Sequence, residues 1–208
     1  REKEKKEKKE QKDQAGKKKK ETEVAAPKKV HRLDSIRAMA FSALAKDLTP
    51  DEIVEATGDS FFRIRQTALV ELDRRGDKRA LDLAQAALEK ITPLDSAHMI
   101  LKVNERVEVR VSAAQVYARL SGAKVAPDLI KRATNPDTPT ELRRALAEIL
   151  AGFNDPAVNR QLLGELGKGR THEKLFRLWA VRQMQDEKVD KAIEKLLSEK
   201  DDQVVIAA

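Results

Sequence analysis

Side chains that could do covalent or metal chemistry are few and scattered in this 208-residue chain. Its three histidines, His31, His98 and His172, lie far apart, and none belongs to a metal-ligand pattern such as H-E-x-x-H. Cysteine is absent, which removes thiolate nucleophiles, disulfides and Cys-ligated zinc together. There is no G-x-S-x-G elbow, P-loop or dinucleotide fingerprint. The acidic pairs Asp51-Glu52, Asp186-Glu187 and Asp201-Asp202 fall at predicted helix starts, where a carboxylate complements the helix dipole, so capping is their expected work. The pattern therefore predicts no catalytic residue, no metal site and no cofactor.

What recurs is arginine. Arg37, Arg65, Arg110 and Arg143, continued by Lys174 and Val205, are 28, 45, 33, 31 and 31 residues apart. An aliphatic residue precedes each anchor except Lys174, and apolar residues follow four and seven places on: Phe41 and Leu44, Leu69 and Leu72, Ala114 and Tyr117, Ala147 and Leu150, Leu178 and Val181. That spacing predicts one buried helical face repeated five times. About twelve residues beyond each anchor a turn or cap residue ends the first helix and a second begins. Thr49-Pro50-Asp51-Glu52 is a capping box with Pro at the first helical position, and Asp155-Pro156 repeats the cap-plus-Pro logic. The second helices are predicted over 50–56, 78–90, 125–133, 157–166 and 188–198. No stretch alternates with period two for long enough to make a sheet. The fold expected is all-α, an α-solenoid of about five stacked helical hairpins.

Ile64-Arg65-Gln66-Thr67-Ala68 followed by Gly76-Asp77-Lys78-Arg79-Ala80-Leu81, Val109-Arg110-Val111-Ser112-Ala113 with Val125-Ala126-Pro127-Asp128-Leu129-Ile130, and Leu142-Arg143 with Asp155-Pro156-Ala157-Val158 resemble the V-R-x-x-A and G-D-x-R-A-V signature of HEAT repeats, especially the short bacterial, phycobilisome lyase-like type. The copy around Lys174 diverges, and the copy around Arg37 lacks the Gly-Asp turn. The resemblance implies an armadillo-like helical array and little about activity. It also implies that Arg65, Arg110 and Arg143, with Asp59, Asn104 and Asp137 six residues upstream, form a structural ladder between repeats.

The long interval between Arg65 and Arg110 contains Thr92-Pro93-Leu94-Asp95, a further cap-Pro start, and predicts an extra short helix from Pro93 to Lys102 within the 92–103 insertion. Residues 201–208 copy the opening of a repeat, so the array of 31–208 is expected to continue past Ala208. Residues 1–30 read as a disordered, charged, low-complexity tail. Residues 1–29 hold 13 basic and 7 acidic side chains, most of the chain's +7, so the remainder is almost neutral. No apolar run approaches a membrane span, and nothing fixes the compartment.

With no reactive cluster, the expected function is a non-catalytic scaffold that binds a protein partner on the concave surface of a monomeric body. In HEAT-like arrays the second helices line that side, which points to Gln85, Glu89, Asp128, Lys131, Arg132, Asn159, Arg160, Glu165, Lys191, Glu194 and Lys195. Their mixed signs suit a protein more than a polyanion. The alternative is nucleic-acid binding through the basic tail. Trp179 and Tyr117 are expected in the core.

Overall fold

The computed structural model describes residues 28–89, 91–93, 102–104, 106–184, 187–198 and 201–207. The tail 1–27 lies outside the described residues. The chain divides into two compact units, 1–41 and 42–208. Helix α1 (Lys28–Leu44) starts in the first and ends in the second. Along it Leu33, Ile36 and Met39 are each more than half exposed.

The second unit is a succession of short helices separated by tight turns. Helix α2 (Pro50–Ala56) opens on the capping box read from the sequence: Thr49 Oγ1 accepts from Glu52 N at 3.3 Å, and Glu52 Oε2 accepts from Thr49 N at 2.7 Å. Two donors that the first helical turn would otherwise leave open are thereby satisfied. Helices α3 (Phe62–Arg74) and α4 (Arg79–Glu89) are joined through Gly76, whose φ of +69° suits glycine. Helix α5 (Val107–Ser121) ends at Gly122, and a 3₁₀ turn (Gly122–Val125) leads into α6 (Ala126–Thr134). Then come α7 (Thr140–Gly152), α8 (Pro156–Gly164), α9 (Thr171–Val181), α10 (Glu187–Leu196) and α11 (Asp202–Ala207). Asp155 caps α8, its carboxylate accepting from Ala157 N at 2.8 Å and Val158 N at 3.1 Å.

The described residues are helical apart from one ribbon of two three-residue strands, β1 (Ile91–Pro93) and β2 (Lys102–Asn104), which pair antiparallel with Thr92 opposite Val103. This corrects the helix expected from Pro93 to Lys102. Both of its ends are strand, and the cap-Pro signal at Thr92-Pro93 is overridden by strand pairing of Thr92 with Val103 and Pro93 with Lys102. Residues 94–101 lie outside the described residues.

Packing follows the repeat register. Helix α3 packs on α5, α5 on α7, α7 on α9 and α9 on α11, while α2 packs on α3, α4 on α5, α6 on α7 and α8 on α9. The faces that meet are those marked by the anchors. Leu69, Leu72, Ala114, Tyr117, Ala147, Leu150, Leu178 and Val181 are all buried, and each fully buried leucine contributes about 1.5–3 kcal/mol. The copy nearest the N-terminus breaks the rule, because Leu44 is 56% exposed. Helix α1 instead buries Ala38, and Ala45 just past its end is buried too.

Candidate functional site

Two of the recurring arginines, Arg65 and Arg143, bond to main-chain carbonyls of the turn that precedes their helix. Arg65 donates from Nη1 to the main-chain carbonyls of Asp59 at 2.7 Å and Ser60 at 2.9 Å, while the Asp59 carboxylate accepts from Phe61 N. Arg143, buried, donates from Nε to Ala133 O at 2.8 Å and from Nη2 to Asn135 O at 3.0 Å, with no bond to Asp137 recorded. Both tie the loop that ends one hairpin to the first helix of the next. In the divergent copy the residue at the anchor is Lys174, and the same work passes one turn on to Arg177, which is buried and donates to Lys168 O at 2.6 Å. These guanidiniums satisfy the carbonyls that helix ends and tight turns leave open. Burial pulls the Arg143 guanidinium below its ordinary pKa.

Other cations join successive units in similar ways. Arg75 donates to Ala45, Lys46 and Leu48 carbonyls beyond the end of α1 and to Glu71 at 2.8 Å. Arg119 on α5 reaches back to Asp73 on α3 with Nε–Oδ2 at 2.8 Å. The Arg74 guanidinium bonded to Glu71, helped by Arg75, holds that buried carboxyl down at about 2. The Thr171 hydroxyl bonded to Asp201 lowers that carboxyl too, and so links the start of α9 to the start of α11.

The second-helix residues singled out from the sequence fall into three groups. Glu89, Asp128 and Arg132 come together: Arg132 sits 2.8 Å from Asp128 and 3.3 Å from Glu89, and also donates to Leu88 O at 3.3 Å. Lys131 is exposed and Gln85 half-buried nearby on α6 and α4. Glu165 lies just past the end of α8, which stops at Gly164 rather than Leu166, and its carboxylate is 3.4 Å from Arg177. Its partner is thus a buried first-helix cation. Lys191, Glu194 and Lys195 are exposed on α10.

Asn159 and Arg160 belong to the third group. Together with Pro156, Leu163 and Gly164 of α8 and Lys188 and Ala192 of α10 they line an open cleft of about 560 Å³. Arg160 is exposed and bonds only locally among the recorded contacts, from Nε to Pro156 O at 3.1 Å. Asn159 Oδ1 is buried and has no hydrogen-bond partner among the described residues. At 100° per residue Lys188, Lys191 and Lys195 share one flank of α10 with Ala192, and Asp190 and Glu194 fall on the other. The sequence reading missed Lys188 and the cleft itself. The i, i+3, i+7 lysine flank was available as a signal, whereas the cleft was not, because it depends on how two helices distant in sequence are placed.

No protein-family model matches the chain, and neither the curated proteins nor the solved structures gave a match.

Tyr117 is buried at the position of Leu72 and Leu150, as expected, while Trp179 is half-buried under the Arg144 guanidinium, 5.1 Å from its ring centre. That cation–π contact joins α7 and α9. His172 Nε2 lies 3.1 Å from Thr134 O, tying α9 to the end of α6. Among the described residues no group of three or more His, Asp or Glu could hold a metal ion, and no helix is long and apolar enough to cross a membrane.

Proposed function

We propose that residues 31–208 form a HEAT-like α-solenoid that works as a non-catalytic scaffold, binding a protein partner along a concave surface made by the second helices. The observation that carries this reading is the division of labour between the two sets of helices. Helices α3, α5, α7, α9 and α11 pack in series and bury the repeating apolar face, while the second helices flank them and carry exposed polar side chains and the α8–α10 cleft. Serial stacking of first helix on first helix supports a solenoid. Arg65 and Arg143, two of the recurring arginines, are bonded to main-chain carbonyls, which supports a structural role for them over a chemical one.

The test is affinity capture with the chain as bait, run beside two charge-reversal variants. One carries Lys131→Glu, Arg160→Glu and Lys191→Glu on the second helices, and the other carries Glu141→Lys and Arg144→Glu on first helix α7. The reading expects a saturable protein partner that the second-helix variant loses and the first-helix variant keeps. Equal loss in both, or capture only of nucleic acid, contradicts it.

A further inference from the structure

We infer that the cleft between α8 and α10 is a seat for an extended acidic peptide with apolar side chains on one edge, a class of ligand that deepens the protein-binding reading above and rests on it. Three observations converge. The cleft is lined by Pro156, Leu163 and Ala192, an apolar surface suited to an aliphatic side chain and lacking any aromatic ring on which a nucleobase could stack. Arg160 and Lys188 also line it, from α8 and α10 respectively, and α8 contains no acidic residue. Lys195 continues the basic flank of α10, and Lys191 lies at the edge of that flank, three residues before Glu194. The charge complementary to this seat is negative, and because apolar and basic groups line one cleft, the matching ligand carries acidic and apolar side chains together on one face, at every second position of an extended strand.

Asn159 adds a main-chain preference. Its Oδ1 is buried without a partner among the described residues, a costly state for an amide oxygen. Turning the side chain toward the cleft exchanges that state for a bond accepted from a peptide N–H. An extended peptide offers such a donor at every residue, and a phosphate backbone offers none.

The experiment is a fluorescence-anisotropy titration of the full chain with four probes: a labelled peptide of Glu-Ser-Leu-Ser repeats, which puts glutamate and leucine on one face of an extended strand, its glutamine counterpart, its lysine counterpart, and an oligothymidylate of matching length. The glutamate peptide is expected to saturate, with the glutamine form about 10-fold weaker and the lysine form not binding. Arg160→Glu and Lys188→Glu should each weaken the glutamate peptide about 10-fold. Asn159→Leu should weaken it while raising the melting temperature of the free chain, because an unsatisfied buried oxygen is removed. A glutamate peptide that fails to saturate by about 1 mM, or that ignores both charge reversals as binding by the Lys-rich residues 1–29 would, overturns the inference. If the glutamine or lysine peptide binds better and shifts resonances of α8 and α10, the acidic-peptide chemistry falls and the protein-binding face stands. If oligothymidylate is the preferred probe and Arg160→Glu abolishes it, both fall.

Discussion

Between α4 and α6, Arg132 spans the gap, bonding to the Leu88 carbonyl, lying 3.3 Å from Glu89 and folding back on Asp128 at 2.8 Å. Between α8 and α10 the lining residues include Gly164 and Ala192, and a cleft of about 560 Å³ stays open beside Arg160. Both regions are made of second helices in one register, and both looked like mixed polar surface in sequence. A cation bonded to an acid and a helix-end carbonyl spans the first junction, whereas the second holds a cleft lined by Arg160. Polar residues at equivalent repeat positions therefore differ in setting, because Arg132 is bonded across its junction and Arg160 borders open space.

The largest expected effect lies beneath both regions. Leu72→Ala and Leu150→Ala each remove a fully buried side chain and should cost about 2–5 kcal/mol in urea unfolding. If either costs less than about 1 kcal/mol, the two junctions do not stand on the shared framework described here. Next comes Arg143→Ala, which strips the donor from carbonyls in a buried setting. A loss of about 3 kcal/mol is expected, and Arg143→Lys should recover little of it, because a single ammonium cannot reproduce the guanidinium's divergent donors.

Acid sharpens the contrast between internally satisfied and presented charge. Glu71 has its carboxyl depressed to about 2, first by the hydrogen bond from Arg74 and then by Arg75. A depressed carboxyl stabilises the fold above its unfolded value of about 4.3, and that contribution, on the order of 2 kcal/mol, drains away as pH falls from there through the folded value. Glu71→Gln should therefore lower stability at neutral pH and flatten the acid limb of the stability curve between about pH 4 and pH 2. An unchanged acid limb would mean the Arg74–Glu71–Arg75 cluster does not hold in solution.

The smallest effects compare the two junctions directly. Arg132→Ala should cost about 1 kcal/mol through its lost hydrogen bonds. Arg160→Ala should cost under about 0.5 kcal/mol, as an ordinary surface change. Reversal of that order in matched unfolding curves would overturn the division between a closed and an open junction.

How far the sequence could see depends on the kind of signal. Thr49-Pro50 and Asp155-Pro156 announced α2 and α8 because caps are local chemistry between neighbours in the chain. The buried positions at Leu69, Leu72, Ala147 and Leu150 were legible because helical packing stamps a period on apolar residues. The main-chain partners of Arg65 and Arg143 were illegible, since a carbonyl has no residue type. Arg177 was hidden for another reason: it does the anchor's work one turn out of register. The β1–β2 ribbon was missed because Pro93 fits a helix start and an edge strand equally well. At the candidate site, Asn159, Arg160, Lys191 and Lys195 could be named from helix register, whereas the cleft that distinguishes Arg160 from Arg132 depends on how far apart two second helices run.

The central claim is that stability is built from neighbour contacts along a row of hairpins, with binding groups set on its flank. Native-state hydrogen exchange of Leu72→Ala against the unmodified chain tests it most directly. The account expects protection to fall steeply in α2 to α5, less in α6 and α7, and hardly at all in α9 to α11. A uniform fall in every helix would show a single cooperative core and contradict the reading of this chain as a stacked array.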